Sequence, residues 1–521
     1  MNLPTPVPAV DVPDVLLTPY VLGRAAELAD RPALVDGPTG RVLTYADLDA
    51  GVRSLAGGLL ARGHAPGDAV ALMAPNVPEY AVVFHGVAFA GGTISTINPT
   101  YTAHEVGQQL RDSGARLLVT VPAFLATATA AAHGTAVEQV VVMGEVPEGA
   151  DAVPLTSLMA EPLAEQVAVG TDAVVALPYS SGTQGLPKGV MLTHRNLVAN
   201  VAQTADILGT GEGEVFMGVL PFFHIYGMNV VMNVGLVAGA TIVTMPRFDL
   251  QQFLQLHETH RVTRSFVAPP IVVALAKHPA VDGVDLSSLV QVVSGAAPLS
   301  AELAAEASAR LGVEIVQGYG MTEMSPVSHF TRPGQYRAGS VGVAVAGTEH
   351  RVVDPATRED LGVDADGELW VRGPQVMAGY LNNVEATAAT LTADGWLRTG
   401  DIGHVDADGY LFVVDRLKEL IKVKGFQVAP AELEALLLTH PDVADAAVVG
   451  VVDEQAGELP VGHVVLKAGA QATAEDVMAF VAERTATYKH LHRLLVVEAI
   501  PKSASGKILR RVLRQELADP A

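Results

Sequence analysis

The sequence predicts a large N-terminal α/β domain, made of layered βα subdomains and a small β-barrel, followed by a smaller α+β C-terminal domain. Three observations support this prediction. A chain of 521 residues is too long for one compact core, so two or more domains are expected. Apolar strand-like runs alternate with helical patterns up to about residue 340, where short strands and turns take over. A further set of helix and strand patterns then fills the C-terminal part of the chain.

The alternation in the first part predicts largely parallel sheets. Helical spacing is seen in alanine-rich stretches such as LDAGVRSLAGGLLARG (48–63). Strands that alternate with helices form βαβ units, whose sheets are covered on both faces. The predicted strands include AVALMAPN (69–76), ARLLVTV (115–121), VEQVVVMG (137–144), ATIVTMP (240–246) and LVQVVSG (289–295).

The short strands after residue 340 predict antiparallel or barrel structure. A domain boundary is predicted near Asp415–Lys418, which gives domains of residues 1–415 and 416–521. In the smaller domain a helix is expected to begin at Pro430, because proline is favoured at the first helical position. The predicted order from there is a helix PAELEALLL, strands DAAVVGVVD and PVGHVVLK, a helix AEDVMAFVAERT, a strand LLVVEAI and a basic terminal helix KILRRVLRQEL.

Composition narrows the class of protein. The net charge of −23 argues against nucleic acid or an anionic membrane as the main partner. Residues 416–521 are nearly neutral, with 13 Lys and Arg against 14 Asp and Glu, so a polyanionic small molecule is better accommodated there. There is no cysteine, so any thiol chemistry needs a thiol from a substrate. The proline-rich start does not look like a signal peptide, and the longest apolar stretch, VVMNVGLVAGATIVTM, reads as buried helix plus strand. A soluble cytoplasmic protein without a membrane span is therefore expected.

The first motif with chemical content is PYSSGTQGLPKGVMLTH (178–194), which follows an apolar run and reads as a loop at a strand end. Its glycines and hydroxyl side chains allow backbone N–H groups to surround a polyphosphate, and Lys188 adds a positive charge. It is not a Walker A loop, because Lys188 is flanked by Pro187 and Gly189. The polyphosphate-binding residues predicted here are Ser180, Ser181, Gly182, Thr183, Gln184 and Lys188.

With four further segments this motif resembles the adenylate-forming superfamily, which contains acyl-CoA synthetases, firefly-type luciferases and the adenylation domains of peptide synthetases. The resemblance implies that the chain uses ATP, Mg²⁺ and coenzyme A to convert a carboxylic acid first to its acyl-adenylate and then to its CoA thioester. It also implies that the C-terminal domain is mobile. The segments are QGYGMTEMSP (317–326), GELWVRGPQVMAGY (367–380), RTGDIGHVDADGYLFVVDRLKELIKVKGFQVAPAELE (398–434) and PKSASGKILRR (501–511).

Residues in these segments are expected to bind the nucleotide. Tyr319 offers a ring on which adenine can stack, Thr322 can donate to the α-phosphate, and Glu323 is the hard oxygen ligand that Mg²⁺ prefers. Asp401 can accept hydrogen bonds from both ribose hydroxyls, since a carboxylate is only an acceptor. The resemblance adds further ATP- and AMP-binding residues, namely Gln317, Gly318, Arg416 and Lys418.

Together with Thr322 and Glu323, three further residues are expected to serve catalysis, namely Lys507, Lys422 and Gln427. Lys507 lies in a loop of small residues and can bring an ammonium group to the charge that develops when the acid attacks the α-phosphate. The resemblance assigns Lys422 and Gln427 to thioester formation, and Lys418 to a hinge about which the small domain turns. Acetylation of Lys507 by a lysine acetyltransferase is a regulatory hypothesis, because it would remove the charge. The CoA-binding residues implied are Arg247, Lys424 and Gly425.

The segment LPFFHIYGMNVV (220–231) is most similar to 4-coumarate–CoA ligases, bacterial ones in particular. The resemblance implies an aryl acid, with Tyr226 at the phenol end of a hydroxycinnamate. A medium-chain fatty acid and a carrier-protein-loading adenylation enzyme remain alternatives. A serine hydrolase and a dinucleotide oxidoreductase are excluded, because neither G-x-S-x-G nor G-x-G-x-x-G occurs. The acid pocket implied consists of His224, Tyr226, Ala296, Gln317, Gly318 and Phe330.

Overall fold

The structure is a computed structural model, and it describes residues 10–180, 187–424, 426–453, 456–503 and 506–518. Its strands are β1 Pro32–Asp36, β2 Val42–Thr44, β3 Ala69–Met73, β4 Thr93–Ile97, β5 Leu117–Thr120, β6 Gln139–Val142, β7 Val153–Pro154, β8 Val174–Ser180, β9 Lys188–Thr193, β10 Val215–Gly218, β11 Thr241–Thr244, β12 Arg264–Val267, β13 Gln291–Ser294, β14 Glu314–Gly320, β15 Val327–Phe330, β16 Val343–Ala344, β17 Glu349–Val353, β18 Gly367–Arg372, β19 Gly379–Tyr380, β20 Leu397–Val405, β21 Leu411–Arg416, β22 Ile421–Val423, β23 Phe426–Val428, β24 Val443–Asp453, β25 Gly457–Leu466 and β26 Arg493–Val496.

The α-helices are α1 Leu17–Val21, α2 Tyr45–Ala61, α3 Glu79–Phe89, α4 Ala103–Ser113, α5 Leu125–Ala132, α6 His194–Leu208, α7 Val234–Ala238, α8 Leu250–His260, α9 Pro269–Lys277, α10 Ala301–Leu311, α11 Val384–Thr390, α12 Pro430–Leu438, α13 Ala474–Ala482 and α14 Arg510–Ala518. A π-helix, Tyr226–Asn233, runs directly into α7. Among the described residues, none of these helices combines the length and the hydropathy that crossing a bilayer requires.

Two large sheets form the first part of the molecule. One has the strand order β16-β15-β14-β13-β12-β10-β11-β1-β2, and the other β19-β9-β8-β4-β3-β5-β6-β7. Within each sheet the central strands are parallel, as the alternating sequence pattern predicted. Each of the five predicted strands is present, and the run VVMNVGLVAGATIVTM forms the end of the π-helix, α7 and β11.

Helices α3 and α6 lie at the centre of this part. Both are buried around most of their circumference, which is typical of a helix enclosed by other elements. Their side chains share one hydrophobic core with β3 and β8 of one large sheet and with β11 and β13 of the other. The carboxyl ends of β8, β13 and β14 line one cavity beside this core, which is where open α/β sheets place ligands.

The remaining sheets are mostly antiparallel. The order β17-β18-β20-β21 accounts for the antiparallel structure predicted after residue 340. The C-terminal sheet, β23-β22-β25-β24 with β26 paired to β25, carries α12, α13 and α14 and forms the smaller α+β part. Helix α12 begins at Pro430 as predicted, and α14 begins at Arg510, three residues later than the start of its sequence pattern. The short strands β22 and β23 were not predicted.

A buried carboxylate connects the two parts. Asp415, near the end of β21, accepts hydrogen bonds from the N–H of Arg416 at 2.6 Å and from the N–H of Ala431 at 2.9 Å. Ala431 lies in the first turn of α12, whose unpaired N–H groups favour a negative charge. Burial nevertheless raises the pKa of Asp415. After β21 the chain passes from the sheet β17-β18-β20-β21 to the C-terminal sheet. The domain boundary near Asp415–Lys418 stays a prediction.

Candidate active site

A cavity of about 280 Å³ lies at the carboxyl ends of β8, β13 and β14. It brings together residues that are more than 300 positions apart in the sequence, from Ser180 to Lys507. Twelve of the residues predicted for the site line it, namely Ser180, Lys188, His224, Tyr226, Ala296, Gly318, Tyr319, Thr322, Glu323, Phe330, Arg416 and Lys507. The predicted residues Ser181, Gly182, Thr183, Gln184 and Gly425 lie outside the described residues.

The end of β14 needs its glycines because other groups lie against the backbone. A Cβ at Gly318 would come within 2.8 Å of the Phe330 ring, and one at Gly320 within 2.2 Å of the Pro326 carbonyl oxygen. Gly318 and Phe330 face each other in the β14–β15 pair, so the ring lies against the glycine. The two glycines therefore allow neighbouring groups to approach the end of β14, where Tyr319 and, just after the strand, Thr322 line the cavity.

The Glu323 carboxylate is buried at one end of the cavity and is held on one side. Its Oε1 accepts hydrogen bonds from the Tyr380 hydroxyl at 2.8 Å and from the Ser180 hydroxyl at 3.1 Å. The Lys188 ammonium lies 4.7 Å from the centre of the Tyr380 ring. Tyr380 was not predicted as a site residue, although it ends the quoted segment GELWVRGPQVMAGY. It supports both the acidic residue and the lysine that the sequence did predict.

Asp401 forms a second polar group, just behind the cavity wall. The Tyr319 hydroxyl donates to its Oδ2 at 2.6 Å, and the Arg416 guanidinium lies 3.2 Å from its Oδ1. Asp401 and Arg416 face each other in the β20–β21 pair, which explains why the two residues meet although 14 residues separate them. Burial and the Asp401 charge raise the pKa of Tyr319, so its hydroxyl stays a donor.

The predicted acid pocket begins at the π-helix. A Cβ at Gly295 would come within 2.7 Å of the Tyr226 ring, so this glycine makes room for the aromatic side chain. The Tyr226 hydroxyl donates to the Val293 carbonyl oxygen at 3.3 Å, which leaves its oxygen free to accept a hydrogen bond. Burial raises the pKa of Tyr226 and keeps it neutral. The Tyr226 hydroxyl oxygen can therefore accept a further hydrogen bond, and its assignment to the phenol end of an acid stays a prediction.

His224 contributes a neutral imidazole to the same pocket. Its Nδ1 accepts the backbone N–H of Tyr226 at 3.3 Å, which leaves the proton on Nε2. Burial, and secondarily the positive charge of Lys507, lower the pKa of His224 to about 4. Gln317 lies beside the pocket, but its side-chain oxygen accepts the N–H of Leu299 at 3.0 Å, and the residue is not part of the cavity wall.

Lys507 enters the cavity from the smaller part of the molecule. Burial, and then the nearby Arg416, lower the pKa of Lys507 to about 8, while Asp401 and Glu419 oppose this shift. A turn precedes it, in which the N–H of Lys507 donates to the Ser503 hydroxyl at 3.1 Å. Gly506, with a φ of +82°, lies on the start of α9. Lys507 thus lines the same cavity as Thr322 and Glu323.

The residues predicted for the hinge, thioester formation and CoA binding lie elsewhere. Lys422 and Gln427 face each other across β22 and β23 and are exposed, as are Lys418 and Lys424. Arg247 is exposed after β11. Among the described residues, these five do not line the cavity. Among the described residues, the structure therefore brings together most of those predicted for the first half-reaction, whereas Lys418 and the residues predicted for the second lie apart from the cavity.

Comparisons with known proteins agree along the whole chain. A family model for AMP-binding enzymes matches residues 23–381, and one for the AMP-binding enzyme C-terminal domain matches residues 432–507. The chain is 46% identical to 4-coumarate–CoA ligase 5 of Oryza sativa subsp. japonica, over 98% of this chain and 96% of that one. It is 44% identical to 4-coumarate–CoA ligase 2 of Nicotiana tabacum over the same shares.

Solved structures resemble the whole molecule as well. The anthranilate CoA ligase AuaEII in complex with anthranoyl-AMP has a TM-score of 0.90 at 26% identity, covering 98% of each chain. A benzoate CoA ligase from Burkholderia xenovorans LB400 has a TM-score of 0.87 at 28% identity, covering 96% of this chain and 100% of that one.

Proposed function

The chain belongs to the AMP-binding enzyme family, and we propose that it is an ATP-dependent acid:CoA ligase that acts on cinnamate- and 4-coumarate-type acids. One observation carries the proposal. A single cavity is lined by His224 and Tyr226, which we assign to the acid, by Tyr319 and Thr322, which we assign to the nucleotide, and by Lys507. An acid and the α-phosphate of ATP bound there would meet beside that ammonium.

The nucleotide half of the cavity suits ATP. We assign adenine to the Tyr319 ring and the ribose hydroxyls to Asp401, whose carboxylate is oriented by the Tyr319 hydroxyl and by Arg416. Thr322 is assigned to the α-phosphate. The polyphosphate is assigned to Lys188 and to the preceding loop, whose predicted residues 181–184 lie outside the described part of the chain.

Mg²⁺ fits the acidic end of the cavity. The donor set there is oxygen, from Glu323 and Ser180, which is what Mg²⁺ prefers. Tyr380 and Ser180 both donate to Oε1 of Glu323, and within the described residues no hydrogen bond engages Oε2. That oxygen is the one we assign to the ion. Bound there, Mg²⁺ would neutralise charge on the phosphate oxygens.

The first half-reaction is an in-line displacement. A carboxylate oxygen of the acid attacks the α-phosphorus, the bond from that phosphorus to the oxygen bridging to the β-phosphate breaks, and pyrophosphate leaves with the electron pair. Negative charge gathers on the oxygens of both partners, and Lys507 lies where it can stabilise that charge. The neutral imidazole of His224 adds no competing cation beside the acid.

The second half-reaction transfers the acyl group. The CoA thiolate attacks the acyl carbonyl carbon, the carbon–oxygen bond to the phosphate breaks, and AMP leaves. We assign Lys422 and Gln427 to this step, and Arg247, Lys424 and Gly425 to CoA. Because Lys422, Gln427, Arg247 and Lys424 lie outside the cavity, the step requires the domain of residues 416–521 to turn about Lys418. Acetylation of Lys507 and a cytoplasmic location stay predictions from the sequence.

The identity of the acid is the most specific part of the proposal. Tyr226 can accept a hydrogen bond from a 4-hydroxyl group, and relatives 44–46% identical are named 4-coumarate–CoA ligases, which favours an aryl acid. Val230 and Phe330 also give the pocket an apolar wall. A medium-chain fatty acid is therefore the second candidate, and a carrier protein as acyl acceptor the third.

The test is acid-dependent formation of AMP from Mg·ATP and CoA, with cinnamate, 4-coumarate, octanoate and acetate as acids. AMP and thioester appearing together, fastest with the two cinnamates, is the expected result. Preference for octanoate would overturn the pocket assignment but keep the mechanism. A Lys507→Met variant is the control, and it is expected to lose AMP formation. Absence of AMP with every acid would refute the ligase assignment.

A further inference from the structure

The segment that carries Lys507 is anchored at both ends by ion pairs. Before it, the Lys502 ammonium lies 2.5 Å from Oδ2 of Asp445. After it, the Arg510 guanidinium binds both carboxylate oxygens of Glu434, at 2.7 and 2.8 Å. The cations that flank Lys507 are therefore paired, whereas among the described residues the Lys507 ammonium itself has no ion pair.

Both ion pairs connect the segment to strand β24. Asp445 belongs to β24, and Glu434 accepts the N–H of Val448 in β24 at 2.8 Å. Arg510 donates a further hydrogen bond to the Val448 carbonyl oxygen at 3.2 Å. Since Asp445 and Val448 are three residues apart on one strand of the small sheet, that strand is a common support for the two ends of the segment.

The backbone before Lys507 and the backbone after it lie side by side and are hydrogen-bonded to each other. Lys502 and Ile508 form an isolated antiparallel bridge, and the N–H of Ser503 donates to the Lys507 carbonyl oxygen at 2.8 Å. The backbone of Lys507 is thus tied to residues next to Lys502. A displacement of either end of this segment would move the ammonium in the cavity, and displacements of about 1 Å from a productive geometry already slow enzymes markedly.

We propose that Asp445 and Glu434 are positioning residues for Lys507, which act through Lys502 and Arg510 to hold its ammonium at the reacting phosphate. This inference rests on the proposed function, because it assigns Lys507 to the first half-reaction. It has a distinctive consequence. Loss of an anchor slows acyl-adenylate formation, but not thioester formation from a supplied acyl-adenylate, since the residues assigned to that step lie on β22 and β23.

Asp445 gives the cleaner variant. Its pair with Lys502 is partly exposed, with 23% and 31% of the two side chains accessible, whereas the Arg510–Glu434 pair has 14% and 11%. Breaking a buried pair leaves an unpaired charge and endangers the fold. Asp445→Asn removes the charge at nearly constant shape, and Asp445→Glu restores a carboxylate. Glu483→Gln, in an exposed pair with Arg484 in the same domain, is the matched control.

The experiment measures the two half-reactions separately for each variant, with single-turnover formation of cinnamoyl-AMP and thioester formation from synthetic cinnamoyl-AMP and CoA. For Asp445→Asn we expect adenylation to fall roughly tenfold to hundredfold and thioester formation to stay within about twofold of wild type. Asp445→Glu should recover most of the adenylation rate, and Glu483→Gln should match wild type in both steps.

Two results would overturn the inference alone. One is wild-type adenylation by Asp445→Asn, and the other is an equal loss in both half-reactions that Asp445→Glu does not relieve. If the wild-type protein forms no acyl-adenylate, the proposed function fails and the inference fails with it. The two failures are therefore told apart by the wild-type measurement.

Discussion

Replacing Gly506 by alanine should slow adenylation through backbone strain. Gly506 has a φ of +82°, a conformation that costs an L-residue about 1–2 kcal/mol. The added Cβ would also lie 3.0 Å from the Cβ of Ala268 and 3.5 Å from Cδ of Pro270, and neither group is the end of a flexible side chain. Relief of this strain moves the residue away from α9 and takes the adjacent Lys507 with it.

The size of the effect follows from the strain. A cost of about 1–2 kcal/mol in the arrangement that places Lys507 in the cavity corresponds to a decrease of about fivefold to thirtyfold in the adenylation rate. The assay is rapid-quench measurement of acyl-AMP formation at saturating ATP and acid. Thioester formation from supplied acyl-AMP should change by less than about twofold, because Lys507 is not assigned to it.

Gly469→Ala is the matched control. Gly469 has a φ of +80° in the same part of the molecule, and no atom lies within 4 Å of its added Cβ. This variant carries the same backbone strain without the contact with α9, so it should lower the free energy of unfolding and leave both half-reactions unchanged. Adenylation by Gly506→Ala at the wild-type rate, or an equal slowing by Gly469→Ala, would refute the reasoning.

Three further predictions concern the cavity. Tyr226→Phe removes the proposed acceptor for a 4-hydroxyl group. The ratio of kcat/KM for 4-coumarate to kcat/KM for cinnamate should therefore fall by about threefold to tenfold. An unchanged ratio would exclude this contact. Because Lys507 must be protonated and its pKa is lowered to about 8, kcat/KM for adenylation should be constant below that pH and fall as the pH rises through it, with no such fall in Lys507→Arg. Tyr380→Phe removes a hydrogen bond to Glu323 but keeps the aromatic ring beside Lys188. In equilibrium dialysis this variant should need about threefold to tenfold more Mg²⁺ for half-maximal ATP binding. An unchanged Mg²⁺ requirement would show that Tyr380 does not orient the carboxylate.

The sequence predicted those elements whose signal is local. The apolar run of β24 and the proline at the start of α12 identify both elements within a few residues of their observed ends. Strands β22 and β23 have three residues each, too few to establish a periodicity, and they were missed. The two strands pair with each other, and β22 also pairs with β25 at Val423 and Gly457, a contact that no local sequence pattern predicts.

The residues of the site also divide into those with a local sequence signal and those without one. Lys507 and Glu323 could be predicted because each lies in a glycine-bearing segment that resembles a motif of the adenylate-forming superfamily. Tyr380 and Asp445 could not, because each acts through a partner 57 positions away, where spacing carries no information. The chemical groups were therefore predictable from the sequence, while most of the residues that hold those groups in place required the structure.

The contact of Asp415 with α12 bears on how such proteins could be recombined. On the α12 side the donor is a backbone N–H, so any helix that starts at the same place would satisfy the carboxylate whatever its side chains. Arg416 pairs backward with Asp401, and Glu419 pairs forward with Arg514. A splice between Arg416 and Glu419 would keep each pair within one parent. The C-terminal module could then be grafted from a relative as a unit, carrying its own Lys507 into a foreign cavity.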